Sequence, residues 1–145
     1  MTLRLIRLAA LLLAIQIVQV DALQAAEKVA GIGGVFFRAE NPAELANWYE
    51  THLGINPVPT SYDQQPWIQD SGPTVFSPFP ESSTYFGDPE QAFMINFRVN
   101  DLDALVAQLR EAGIEVSLDP ETYPNGRFAR LMDPEGNPIE LWEPK

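Results

Sequence analysis

Phe97-Arg98-Val99, followed by Asp101 and Leu105, restates Phe37-Arg38-Ala39, followed by Asn41 and Leu45, sixty residues earlier in the chain. Gly113-Ile114 then answers Gly54-Ile55, with the spacing one residue shorter. Each copy reads as a strand, a helix, a glycine stop and further strands. A repeat of this kind marks two copies of one supersecondary unit. Two such half-folds commonly share a concave surface between them.

The first copy opens with a predicted strand over Ile32 to Ala39. Alternation puts Val35, Phe37 and Ala39 on one face and Gly34, Phe36 and Arg38 on the other. Asn41-Pro42-Ala43-Glu44 then starts a helix. Asn41 suits the cap, Pro42 the first helical position, and Glu44 completes a capping box. Leu45, Trp48, Tyr49 and His52 fall on one stripe, and Gly54 suits a left-handed cap.

The second copy is more legible. Ala92 to Val99 predicts a strand with Ile95, Phe97 and Val99 on one face and Met94, Asn96 and Arg98 on the other. Asn100 or Asp101 caps a helix whose stripe is Leu102, Leu105, Val106 and Leu109. Gly113 ends it, and Glu115 to Leu118 forms a third element. Phe128 to Met132 and Pro138 to Trp142 predict a hairpin across Asp133-Pro134-Glu135-Gly136-Asn137. Pro134 presets that turn and Gly136 supplies a positive φ.

Between the copies, Ile55 to Asp88 is rich in proline. Trp67 to Gln69 and Thr74 to Phe76 read as short strands, which the surrounding prolines confine to edges or ends. Tyr62, Trp67, Phe76, Phe79, Tyr85 and Phe86 make this stretch either a wall over a cavity or a cover for the sheet edge.

In both copies the all-apolar strand face has to meet the helix, so the opposite faces line something else. In the last strand Ile139 and Leu141 suit the helix side, leaving Glu140 and Trp142 opposite. The expected open surface comprises Gly34, Phe36, Arg38, Met94, Asn96, Arg98, Glu140 and Trp142. Aromatic groups mixed with a few charges are the chemistry of a small-molecule pocket. Trp67 and Phe76 join it if the proline-rich loop folds over the cup.

The chain has 145 residues, enough for one domain or two fused half-domains with a self-sufficient core. With no cysteine, disulfides, thiolate metal sites and a cysteine nucleophile are excluded. Residues 1–26 differ in kind. Arg4 and Arg7 precede an apolar run from Leu8 to Val20, and small residues follow. That is the pattern of a secretory signal, with Val20-Asp21-Ala22 or Gln24-Ala25-Ala26 as cleavage sites. The run is short of the roughly 20 residues that span a bilayer. An uncleaved anchor and a misplaced start are the alternatives. The expected mature domain is 27–145, with module one about 31–88 and module two about 91–145, in a secreted or periplasmic protein.

Loss of Arg4, Arg7 and Asp21 turns nine basic and twenty acidic residues into seven and nineteen, so the net charge moves from −11 to −12. Such a chain repels nucleic acid and anionic membranes, and neither is an expected partner after cleavage.

Two stretches resemble the vicinal oxygen chelate superfamily of glyoxalase I, bleomycin-resistance proteins, fosfomycin-resistance enzymes and extradiol dioxygenases. They are Phe97-Arg98-Val99-Asn100-Asp101-Leu102-Asp103 and Met132-Asp133-Pro134-Glu135-Gly136-Asn137-Pro138-Ile139-Glu140-Leu141-Trp142. The resemblance covers Gly31 to Pro144. It implies an α+β fold of paired βαβββ modules forming a cup-shaped mixed β-sheet with helices on the outer face. It also implies a ligand or divalent metal in the cup, and a homodimer.

Metal enzymes of the superfamily take ligands from corresponding strands of both modules. The late-strand Glu of that set matches Glu140. The first-strand His positions fall on Gly34 and Met94, and the remaining one falls near Phe76 or Ser77. A glycine and a thioether are poor partners for a hard divalent ion. One carboxylate does not supply the three or four donors that such ions need. The sole histidine, His52, lies on the helix stripe. The expectation is no cofactor, with a divalent metal at Glu140 as the alternative.

Glu140 then has three readings: a catalytic general acid or base, half of an ion pair with an arginine, or the remnant of an ancestral metal site. Arg38 and Arg98 are related by the repeat and, if convergent, bind an anion. Arg127 and Arg130 are expected to be exposed or salt-bridged. No Ser-His-Asp set and no phosphate-cradling loop is present. The leading expectation is a metal-free protein binding a small aromatic or anionic molecule at Phe36, Arg38, Trp67, Phe76, Met94, Asn96, Arg98 and Trp142. The alternatives are a metal-dependent lyase, glyoxalase or dioxygenase using Glu140, and a structural or partner-binding subunit.

Overall fold

Strand β4 (Pro138–Pro144) is buried from Pro138 to Trp142 because it runs between two neighbours. On one side it pairs in parallel with β1 (Ile95–Arg98), on the other antiparallel with β3 (Gly126–Met132). The short β2 (Ser117–Leu118) adds antiparallel to β3, giving the order β1-β4-β3-β2 in an open mixed sheet. Helices α1 (Pro42–Leu53) and α2 (Leu102–Glu111) complete a small α+β fold.

The computed structural model describes residues 27–145. The signal-like segment therefore lies outside the described residues. The chain divides into two units, Met1–Phe36 and Phe37–Lys145. Of the first unit, the described residues 27–36 contain neither helix nor strand and are exposed.

Within the second unit the expected stripes meet in one core. Leu102, Leu109, Ile139 and Leu141 are fully buried, joined by Leu45, Val106 and Leu131. Burying each large aliphatic side chain contributes roughly 1.5–3 kcal/mol. Tyr49 joins them from α1, and Phe37 packs edge-on against it at 6.5 Å.

The helix ends are held largely by groups that lie far away in sequence. Asp101 caps α2 through the Ala104 N–H at 2.9 Å, while Glu143 of β4 accepts from the Leu102 N–H at 3.0 Å. At α1 the expected Asn41 side-chain cap is not formed. Instead Glu135, in the β3–β4 turn, accepts from the backbone N–H groups of Glu40 and Asn41 at 2.9 and 2.8 Å. A carboxylate there also suits the positive end of the helix dipole. Gly54 ends α1 with φ 68°, its N–H bonded to the Glu50 carbonyl, as expected of a left-handed cap.

The hairpin turn is built around Asp133, which is 4% exposed. Its Oδ1 accepts from the Glu135 and Asn137 N–H groups, both at 2.9 Å. Its Oδ2 accepts from Asn137 Nδ2 at 2.7 Å and from the Tyr49 hydroxyl at 3.0 Å. One buried carboxylate thus shapes the turn and ties it to α1.

The first copy of the repeat keeps its helix but not its strands. Ile32–Ala39, Trp67–Gln69 and Thr74–Phe76 carry no ladder pairing. Pro66, Pro73 and Pro78 interrupt the donor series that a ladder needs, and Gly31, Gly33 and Gly34 weaken the first segment. In the second unit the side-chain alternation still holds, since Phe37 and Ala39 pack on the core while Arg38 is exposed.

Candidate functional site

Asn96, Glu140 and Arg130 stand abreast on the sheet face turned away from α2. Asn96 is in register with Glu140 across β1 and β4, and Arg130 with Glu140 across β3 and β4. Ser117 continues the row on β2. The next row is Arg98, Trp142 and Phe128. The period of two that sends Ile139 and Leu141 into the core leaves these residues on the opposite face.

Glu140 is buried, 6% exposed, and every neighbour around it donates to it. Asn96 Nδ2 reaches its Oε2 at 2.7 Å. Its Oε1 accepts from the Tyr85 hydroxyl at 2.7 Å, and from Arg130 Nη2 and Nε at 3.1 and 3.2 Å. Arg130 also donates to the Tyr85 carbonyl at 3.1 Å, and its guanidinium lies over the Tyr85 ring at 4.1 Å. Burial, and then the hydrogen bond and charge of Glu140, raise the Tyr85 phenol above its ordinary range, with Arg130 opposing. Tyr85 therefore stays a neutral donor.

Beside this cluster lies an open groove of about 680 Å³. Tyr85, Tyr123 and Phe128 supply its aromatic walls, and Asp119, Arg130 and Glu140 its charges. Phe128 is stacked on Trp142 with an interplanar angle of 5°, and Tyr123 meets Phe128 edge-on at 5.8 Å. Trp142 is buried, its indole N–H donating to the Asn125 carbonyl at 2.8 Å. It meets Phe128 across the β3–β4 pair.

The remaining sequence candidates scatter. Arg98 lies on the same face but donates to the Asp70 carbonyl at 2.7 Å. Its guanidinium fills the space that a Cβ on residue 72 would occupy, which explains the glycine there. Arg38 is exposed and makes no hydrogen bond or ion pair among the described residues, so the two repeat-related arginines do not form a shared clamp. Trp67 packs edge-on against Phe97 at 6.4 Å, on the core side of β1. Met94 is half-buried just ahead of β1. Phe76 is exposed, and so is Phe36, which belongs to the other unit. His52 borders a second depression of about 650 Å³ along α1, with Trp48 tilted against it at 5.4 Å.

The sequence reading had Tyr85 only among the loop aromatics of a cavity wall or edge cover, and it missed Tyr123, Phe128 and Asp119 as site residues. Of the two readings for Arg130, exposed or salt-bridged, the structure shows a salt bridge, with Glu140. Arg127 likewise pairs with Asp103 at 2.6 Å and Glu143 at 3.6 Å. The hairpin register carried a signal for Arg130, because pairing Met132 with Pro138 sets Arg130 opposite Glu140. Tyr85 has no such signal, since a loop residue's partner is not set by periodicity.

The residues present do not fit the divalent metal of the superfamily's enzymes. Among the described residues no three His, Cys, Asp or Glu side chains gather to hold an ion. Around Glu140 the donors are an amide, a phenol and a guanidinium, whose positive charge already sits on the carboxylate. A metal ion needs anionic or neutral lone-pair donors instead.

Comparison with known proteins gives one family. The glyoxalase-like domain model matches residues 34–142. The fold is similar to TnmS3, an antibiotic binding protein from Streptomyces sp. CB03234, at 22% identity and TM-score 0.55, covering 82% of this chain and 99% of that one. It is also similar to lactoylglutathione lyase from Agrobacterium tumefaciens at 17% identity and TM-score 0.53, covering 81% and 96%. A glyoxalase/bleomycin resistance protein/dioxygenase superfamily member from Sphaerobacter thermophilus matches at 18% identity and TM-score 0.51, covering 79% and 98%. No curated protein sequence matches the chain.

Proposed function

The chain belongs to the glyoxalase-like domain family of the vicinal oxygen chelate superfamily, and we propose that it binds a small aromatic molecule on the open sheet face without a catalytic metal. The observation that carries this reading is the groove walled by Tyr85, Tyr123 and Phe128 beside a fully engaged Glu140. An aromatic-walled concavity with a few oriented polar groups is the general form of a small-molecule site. The engagement of Glu140 by Arg130, Tyr85 and Asn96 supports a structural and orienting role for this carboxylate rather than metal ligation.

The alternative of an anionic ligand rested on Arg38 and Arg98 converging. With Arg98 held by Asp70, support falls on the aromatic ligand. TnmS3, named an antibiotic binding protein, adds that this fold hosts a binding role. Export belongs to the same proposal, on the signal-like pattern of residues 1–26, and places the ligand outside the cytoplasm. So does a homodimer, in which a second copy covers exposed Val58, Ile68, Val75 and Phe76.

The test is a fluorescence titration of chelator-treated protein with prodan, a neutral naphthalene dye. Saturable single-site binding that weakens in Phe128→Ala supports the reading. Binding that appears only on adding a divalent metal, or that ignores Phe128→Ala, overturns it. N-terminal sequencing of protein recovered from the periplasm or medium tests export, and light scattering of the purified protein tests the dimer.

A further inference from the structure

Resting on that binding reading, we infer that the groove selects an aromatic amine or another hydrogen-bond donor over an aromatic carboxylate. Most donor hydrogens at the groove are already committed. Of the side chains at the groove that donate hydrogen bonds, Tyr85, Tyr123 and Arg130 line it and Trp142 adjoins Phe128, while Ser117 and Asn125 add a hydroxyl and an amide. The Tyr85 hydroxyl hydrogen goes to Glu140, and that of Tyr123 goes to Asp119 Oδ2 at 3.1 Å. The Trp142 indole hydrogen goes to the Asn125 carbonyl. Arg130 spends three of its five N–H groups, Nε and one on Nη2 to Glu140 and one on Nη1 to the Tyr85 carbonyl.

What remains is mostly accepting, apart from two Arg130 N–H groups and the Asn125 amide. A phenol that has donated keeps lone pairs on its oxygen, and an ionised carboxylate only accepts. Tyr85, Tyr123 and Asp119 present such lone pairs. Ser117 has a hydroxyl that serves either way.

Charge points the same way. Arg130 is the one basic residue lining the groove, and Glu140 neutralises it at 3.1 Å. Asp119 has no ion-pair partner among the described residues, so its charge is uncancelled. The faces of Tyr85, Tyr123 and Phe128 carry negative quadrupole density, which also favours a cation. The chain's net charge of −11 adds a long-range pull of the same sign.

The experiment uses three ligands on one ring: tryptamine, tryptophol and indole-3-acetate, titrated calorimetrically at neutral pH. Tryptamine is expected to bind roughly tenfold tighter than indole-3-acetate, the effect of one or two nearby charges at a surface. Tryptophol falls between. Asp119→Asn, a change at a groove-edge residue outside the sheet, narrows the gap about threefold, and added salt narrows it further.

A preference for indole-3-acetate overturns the inference and leaves the aromatic-binding reading in place. An Asp119→Asn variant with an unchanged gap overturns it as well. Binding of none of the three also overturns it, and the underlying reading falls with it only if prodan fails too.

Discussion

Tyr85 lies in the proline-rich loop between the two repeat copies, yet its hydroxyl donates to Glu140 of the last strand at 2.7 Å. The loop is thereby attached to the sheet at its one buried carboxylate. Arg130 reinforces the attachment by bonding the Tyr85 carbonyl and lying over its ring. Three unlike contacts converge on one loop residue, and they form one wall of the groove.

The Arg130–Glu140 pair is asymmetric, and its two halves respond differently to mutation. The Arg130 side chain is 45% exposed and that of Glu140 only 7%. Removing Arg130 leaves a buried carboxylate with only neutral partners, whereas removing the Glu140 charge leaves a guanidinium free to turn to water. Arg130→Ala is expected to cost about 2–3 kcal/mol and Glu140→Gln about 1 kcal/mol, both below the values for fully buried pairs. Urea denaturation of the two variants checks the order.

Tyr85→Phe deletes a single hydroxyl and leaves the ring under Arg130. The expected loss is about 1 kcal/mol, because Glu140 keeps its bonds to Arg130 and Asn96. A double-mutant cycle with Glu140→Gln measures the coupling directly and should return most of that loss.

Asp133 is expected to be the most sensitive polar residue of the fold. It is buried and accepts four hydrogen bonds that shape the hairpin turn and reach Tyr49. Asp133→Ala should cost about 3 kcal/mol or more, against about 1 kcal/mol for Tyr49→Phe, which leaves the other three bonds intact. Thermal melts of both variants compare them.

Alkaline pH should expose the same contact. Burial, then the charge and hydrogen bond of Asp133, push the Tyr49 phenol far above its ordinary value of 10.0. The fold thus favours the protonated phenol. The stability linked to it is whole below about pH 10 and is lost as pH rises further, where the unfolded chain ionises and the folded one does not. Unfolding free energy measured against pH should fall above that point, and fall less steeply in Tyr49→Phe. An equal slope in both proteins contradicts the assignment.

The second repeat copy was almost fully legible because its signals are local. Leu102, Val106 and Leu109 recur at helical spacing, and Ile139 and Leu141 alternate with Glu140 and Trp142. The same alternation correctly placed Asn96 and Glu140 on one face. The first copy was legible in its helix and in the burial of Phe37 and Ala39, but its strands are not formed. Periodicity predicts which face a side chain takes, whereas a ladder also needs a partner strand and an unbroken run of donors. The site was half legible for a related reason. Glu140 and its row follow from register, but Tyr85 arrives from a loop, and Glu135 replaces the expected Asn41 cap from a turn 94 residues away. Contacts of that kind carry no sequence period.

The most direct test of a metal-free aromatic site is chemical-shift mapping on the isotope-labelled protein in the presence of chelator. Titration with tryptamine should move the backbone amides of Tyr85, Ser117, Tyr123, Phe128 and Arg130, together with the Trp142 indole N–H. Shifts clustered along α1 at Trp48 and His52, or shifts that require an added divalent metal, would contradict the account.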